Sequence, residues 1–178
     1  MTSSPSSPCK RALRRAALVA TLLSAGPALA AGSPQIIPLP LNPVVPPALR
    51  DCAQRTASGV GYSLLKPSQG VKPTDGDYVL VNYIGYLAAS GVVFDQAMQA
   101  AMPIAGVIPG FAEGIKLMTK GGIQRICVPA ALGYGAEAKG PIPANSDLVF
   151  QVELLDKRSA AEVEAARSQG VPEAPPQP

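Results

Sequence analysis

Twenty prolines limit what this 178-residue chain can fold into more than any other feature. Nine lie in residues 1–50, seven in 51–157 and four in 158–178. Proline fixes φ and removes a backbone donor, so dense clusters of it defeat helix and sheet alike. The folded part is thereby confined to a middle stretch of about a hundred residues, the size of one ordinary domain. Residues 31–47 (AGSPQIIPLPLNPVVPP) are apolar but carry neither helical nor strand periodicity. They read as an extended, PPII-like tether.

Ahead of that tether, Lys10, Arg11, Arg14 and Arg15 form a basic cluster, followed by an apolar run over residues 16–25. Pro27 breaks the run, and Ala28-Leu29-Ala30 supplies the small residues of a cleavage site. This is the layout of a secretory signal peptide. The run is too short to cross a bilayer, which takes about 20 residues, so no stable membrane insertion is expected. Cys9 precedes the basic cluster and is therefore not the acylated cysteine of a lipoprotein. Export is expected, most simply to a periplasm. Loss of residues 1–30 leaves 11 basic against 12 acidic residues, a net charge of −1 in place of +3. With no net positive charge left, nothing argues for nucleic acid binding.

The chain has no histidine, which excludes a Ser-His-Asp triad, a Cys-His pair and a His-ligated zinc site. No Walker loop, dinucleotide fingerprint, CxxC or acidic metal cluster is found, so no cofactor and no metal are expected. Cys52 and Cys127 lie 75 positions apart in a compartment where disulfides persist. Their spacing leaves the bridge open. Cys127, in Ile126-Cys127-Val128, also reads as a free cysteine acting as a small hydrophobe in a buried strand.

Within the middle stretch a short helix is possible from Ala48 through Cys52 and Ala53. Residues 60–65, 78–87, 92–94, 123–128 and 148–155 read as strands, from their β-branched and aromatic content and the turn signals between them. Phe111, Ile115 and Met118 fall at helical spacing before Lys120-Gly121-Gly122, so residues 111–119 read as a helix. Residues 159–169 read as a polar helix before a Pro-rich tail. Strands around one central helix make an antiparallel α+β domain.

Six segments then stand in order: Val81-Asn82-Tyr83-Ile84-Gly85, Phe94-Asp95, Val107-Ile108-Pro109-Gly110-Phe111, Leu132-Gly133-Tyr134-Gly135, Ile142-Pro143, and Leu148 through Leu155. In order and spacing they closely resemble the FKBP-type peptidyl-prolyl cis–trans isomerases, over roughly residues 76–156. The resemblance implies a bent antiparallel sheet wrapped around one short helix. Together with the tails read above, the expected division is a signal peptide at 1–30, a Pro-rich linker at 31–50, the isomerase domain at 51–157, and a polar helix with disordered tail at 158–178. The resemblance also implies that Tyr83, Phe94, Asp95, Ile108 and Tyr134 carry the catalysis, while Val107, Phe111, Ile142 and Phe150 line the substrate site.

Prolyl isomerisation rotates an amide against a barrier of about 18–20 kcal/mol without making or breaking a bond. It needs no nucleophile, base or metal, which suits an inventory of apolar groups and one acid. Three departures from the family stand out. Phe111 occupies a floor position that usually holds Trp, and the chain between Phe94 and Val107 is about four residues shorter than the common pattern, around Pro103-Ile104-Ala105-Gly106. The loop at residues 136–141 is about one residue short as well. A weakly catalytic, chaperone-like module binding Pro-containing unfolded chains is therefore the alternative. Partners implied are unfolded or partly folded Pro-containing polypeptides, with the family's macrocyclic ligands as further candidates. Residues 31–50 are too short and Pro-rich for the helical domain through which some exported relatives dimerise, so a monomer is expected.

Overall fold

The structure is a computed structural model and describes residues 36–37 and 44–169. Strands β1 (Gln54–Arg55), β2 (Gly61–Lys66), β3 (Asp77–Leu87), β4 (Val93–Pro103), β5 (Ile123–Val128) and β6 (Leu148–Ser159) form one sheet in the order β1-β2-β5-β6-β3-β4. Every pairing is antiparallel. Helix α1 (Pro109–Lys116) follows β4, and α2 (Ala160–Gln169) follows β6. The bent sheet around one short helix is as expected. The polar helix expected at 159–169 is α2, which has no buried residue.

Residues alternate across β3 and β6 so that each strand serves two cores. On one face Val79, Val81, Phe150, Val152 and Leu154 join Phe111, Ile115 and Met118 of α1 and its exit. On the other, Ile84, Tyr86 and Val149 join Ile37 and Val45. Helix α1 starts with Pro109 at its first turn, where a missing N–H costs nothing. It lies close on β5: a Cβ on Gly110 would sit 2.5 Å from Val128, and one on Gly114 2.5 Å from Ile126.

Four sequence readings need correction. The described part of the linker is no free tether. Val45 is fully buried and Ile37 is 3% exposed. Val45 N–H donates to Gly91 O at 2.8 Å, and Val44 bridges Val92. The apolar back of the sheet supplies a partner that proline content alone could not reveal. Second, the short helix expected from Ala48 is a 3-10 turn, Pro47–Leu49, which runs into the two-residue β1. Third, β4 does not stop at Phe94 but continues to Pro103, paired with β3 throughout. Its small, alanine-rich sequence hid that pairing. Fourth, β6 continues past Leu155 to Ser159. The signal peptide, the rest of the linker and residues 170–178 lie outside the described residues.

The cysteine question resolves as a disulfide: Cys52 and Cys127 are bonded, with Cα atoms 6.1 Å apart. Cys52 lies between the 3-10 turn and β1, so the bond ties the incoming segment to β5.

Candidate functional site

The nine residues singled out in the sequence come from β3, β4, β6, the start of α1 and the loop between β5 and β6. Strand β3 presents Tyr83 and Gly85 to the helix-facing side, and Gly85 pairs with Phe150 on β6 and with Asp95 on β4. Val93 pairs with Tyr86, whose side chain belongs to the opposite core, so Phe94 is the extra residue of a β-bulge. That bulge re-aims consecutive side chains, and Phe94 and Asp95 both face the site. A second bulge lies opposite Asn82, where Gln99 has φ 51° and donates its N–H to Asn82 Oδ1 at 2.9 Å.

Four rings form a connected chain. Tyr83 meets Phe111 edge-on at 6.2 Å between centroids, Phe111 meets Phe150 at 4.7 Å, and Phe150 meets Phe94 edge-on at 5.6 Å. Phe111 and Phe150 are buried, while Tyr83 and Phe94 are half-buried and open the basin to solvent. Gly85 makes the arrangement possible. A Cβ there would lie 2.8 Å from Phe150 Cε1 and 2.8 Å from Phe94 Cε2 and Cζ, inside carbon contact distance.

The polar groups are few. Tyr83 O–H donates to Asp95 Oδ2 at 2.6 Å. Burial first, then the hydrogen bond to Asp95 and its charge, and finally the nearby Tyr134, hold the Tyr83 hydroxyl well above its ordinary pKa. It therefore stays a protonated donor, locked on the carboxylate. Asp95 itself is exposed.

Ile108 caps α1: its carbonyl accepts from Phe111 N at 3.0 Å and Ala112 N at 3.1 Å. No partner for the Ile108 N–H is found among the described residues. Val107 and Ile108 pack against the helix-side core, as does Leu132, which the sequence reading quoted within a motif but did not place among the site residues. Ile104 was missed as well. It is 1% exposed and belongs to the helix-side core.

Ile142 is 4% exposed, fixed by a tight turn in which it and Lys139 exchange both backbone hydrogen bonds at 2.9 and 3.0 Å. Tyr134 is 37% exposed on the preceding loop, near the Tyr83 hydroxyl. That loop is pinned by Gly135 N to Ala130 O at 2.9 Å and Asn145 N to Gly135 O at 2.7 Å. The structure thus gathers Tyr83, Phe94, Asp95, Phe111 and Phe150 in direct contact, with Val107, Ile108 and Ile142 on the same core and Tyr134 at the rim.

Comparison with known proteins agrees with this geometry. Residues 69–155 match the family model described as FKBP-type peptidyl-prolyl cis-trans isomerase. The chain is 40% identical over 114 residues to the FKBP-type peptidyl-prolyl cis-trans isomerase FkpA of Escherichia coli K12, covering 62% of this chain and 42% of that one. It is 38% identical over 109 residues to the outer membrane protein MIP of Legionella longbeachae, covering 58% and 46%. The chain thus spans less than half the length of these curated relatives. The crystal structure of Escherichia coli FkpA superposes with a TM-score of 0.58 at 39% identity, covering 60% of this chain and 52% of that one. A peptidyl-prolyl cis-trans isomerase from Pseudomonas syringae pv. tomato DC3000 gives 0.57 at 32% identity, covering 60% and 80%. With four-fifths of that isomerase covered, and with sheet, helix and ring chain in the expected order, the chain belongs to the FKBP-type peptidyl-prolyl cis-trans isomerase family.

Proposed function

We propose that this chain accelerates cis–trans isomerisation of Xaa-Pro bonds in unfolded or partly folded exported polypeptides. The observation that carries the reading is the ring chain from Phe94 to Tyr83, with a single carboxylate committed to the Tyr83 hydroxyl. Such a site has no free nucleophile or base to offer. It has apolar walls and a small set of fixed hydrogen-bonding groups.

A planar amide carries more charge separation than a twisted one. A dry aromatic basin therefore disfavours the ground state more than the transition state, and each ~1.4 kcal/mol of difference gives about tenfold in rate. Phe94, Phe111, Phe150 and the Tyr83 ring form walls and floor for the proline. Val107 and Ile142 extend the apolar lining. The Ile108 N–H and the Tyr134 hydroxyl hold peptide carbonyls to either side. Asp95 orients the Tyr83 hydroxyl and polar groups near the rotating bond, without exchanging a proton.

Residues 1–30 act as the export signal and residues 31–50 lead into a domain closing near residue 157. The chain works as a monomer without cofactor, and the family's macrocyclic ligands occupy the same basin. One observation favours the chaperone-like reading as the second: opposite Tyr83 and Val81, β4 places Ala97 and Ala100, not aromatics, on the helix-facing side of the sheet.

The test is a protease-free isomerisation assay on Xaa-Pro peptides together with refolding of a proline-limited protein. Acceleration at sub-micromolar protein is expected. No acceleration at micromolar protein, with suppression of aggregation intact, would replace the enzyme by the chaperone. Intact mass of the exported product should show Ala31 as its first residue.

A further inference from the structure

The segment before β1 is held on the back of the sheet by a small, countable set of contacts. Val45 is buried against Tyr86 and Val149, and Ile37 exchanges two hydrogen bonds of 2.7 Å with the Gln151 side chain. Arg50 Nε donates to Val45 O and Arg50 Nη1 to Ala89 O, both at 2.8 Å. The Tyr86 O–H donates to Leu49 O at 2.6 Å. None of these residues belongs to the helix-side core, whose members include all four rings of the basin. Among the described residues the covalent cross-link is Cys52–Cys127. Both cysteines are partly buried and line a cavity of about 280 Å³ with Arg50, Arg55, Asp51 and Asp147.

We propose that this disulfide is a redox latch: a small thiol entering the cavity reduces it, and the segment carrying Val45 and Arg50 leaves the sheet while the aromatic basin stays folded. The cavity opens onto both cysteines, which are only partly buried, and a disulfide reachable from solvent is more readily reduced than an enclosed one. A thiolate attacks the Cys52 sulfur and forms a mixed disulfide. The old S–S bond breaks, and its electron pair leaves on Cys127 as thiolate. A second thiolate attacks the incoming sulfur, frees Cys52, and departs as the oxidised form of the small thiol. Separation of the two cores is what lets the segment leave alone. The inference does not depend on isomerase activity.

The test is brief trypsin digestion of purified protein equilibrated in glutathione buffers of graded redox ratio, with free thiols trapped by alkylation. Cleavage after Arg50 should be at least tenfold faster in the alkylated, reduced fraction than in the oxidised one. Arg125, buried in β5, should remain uncut in both. Cys52→Ser should show the fast cleavage without any thiol. Three results would overturn the latch: Arg50 still protected after reduction, Arg125 cut in step with Arg50, or oxidised protein carrying two free thiols.

Discussion

Gly85→Ala is the sharpest test of how the basin is built. Gly85 is not among the glycines with positive φ, so alanine brings no backbone strain and the substitution reports on space alone. Its Cβ would arrive 2.8 Å from one Phe150 carbon and two Phe94 carbons. Carbon pairs sit best at about 3.5–4.0 Å, so the rings must withdraw by roughly 0.7 Å or more. Phe150 is hemmed in by Phe111 at 4.7 Å, which leaves half-buried Phe94 as the ring that yields. Overpacking of this kind costs about 1–3 kcal/mol. Loss of glycine freedom in the unfolded chain returns about 0.4–1 kcal/mol. The net expectation is destabilisation of about 1–2 kcal/mol, a fall in Tm of roughly 4–10 °C for a domain of this size. Displacing a wall by close to an ångström should lower kcat/KM by about ten- to a hundredfold at temperatures where the variant is folded. Urea melts and the Xaa-Pro assay read the two effects separately. Adding Phe94→Leu should recover much of the stability and none of the activity. A Gly85→Ala protein as stable as the parent, with kcat/KM within twofold, would refute the close-packed wall and the role drawn from it.

Three further outcomes follow from the same structure. Tyr134→Phe and Asp95→Ala remove polar atoms while sparing the rings, so each should lower kcat/KM by about tenfold or less, the scale of one net hydrogen bond; a thousandfold loss in folded Asp95→Ala would instead demand proton transfer or strong electrostatics. Gly114→Ala gains about 1 kcal/mol of helix propensity but drives a methyl to 2.5 Å from Ile126, so urea denaturation should show a net loss of stability. Buried Asp77 has its pKa lowered chiefly by the Thr74 N–H, helped by the Thr74 hydroxyl and Lys157. A depressed carboxylate stabilises the fold above its unfolded value of about 3.9 and loses that contribution as pH falls through the lower folded value. Acid unfolding below pH ~4 should therefore flatten in Asp77→Asn, as followed by circular dichroism.

The sequence made the helix-side architecture readable because its signals are local. Phe111, Ile115 and Met118 keep helical spacing, β3 is rich in β-branched and aromatic residues, and Pro109 and Gly121-Gly122 punctuate α1. What stayed hidden depends on contacts distant in sequence. Strand β4 is alanine-rich and gains its regularity from pairing with β3. Val45 and Ile37 look like any apolar residues among prolines until Ile84, Tyr86 and Val149 turn up beneath them. The disulfide joins residues 75 positions apart, a proximity that no spacing rule yields. At the site, the order of motifs named Tyr83, Asp95 and the three phenylalanines. It could not disclose the bulge that turns Phe94 and Asp95 the same way, nor the clearance that Gly85 supplies.

The strand order also dictates a timetable for the chain's own maturation. Strand β6, the last to be synthesised, pairs with both β3 and β5 and so holds the middle of the sheet. Until residue 159 or so has emerged, the β3–β4 hairpin and the β2–β5 pair are two half-sheets with bare edges and uncovered apolar faces. Pairings this remote in sequence form slowly, and open edges invite pairing with other chains. The molecule must therefore pass through the condition it is proposed to remedy in others: an extended, proline-bearing polypeptide awaiting its final strand.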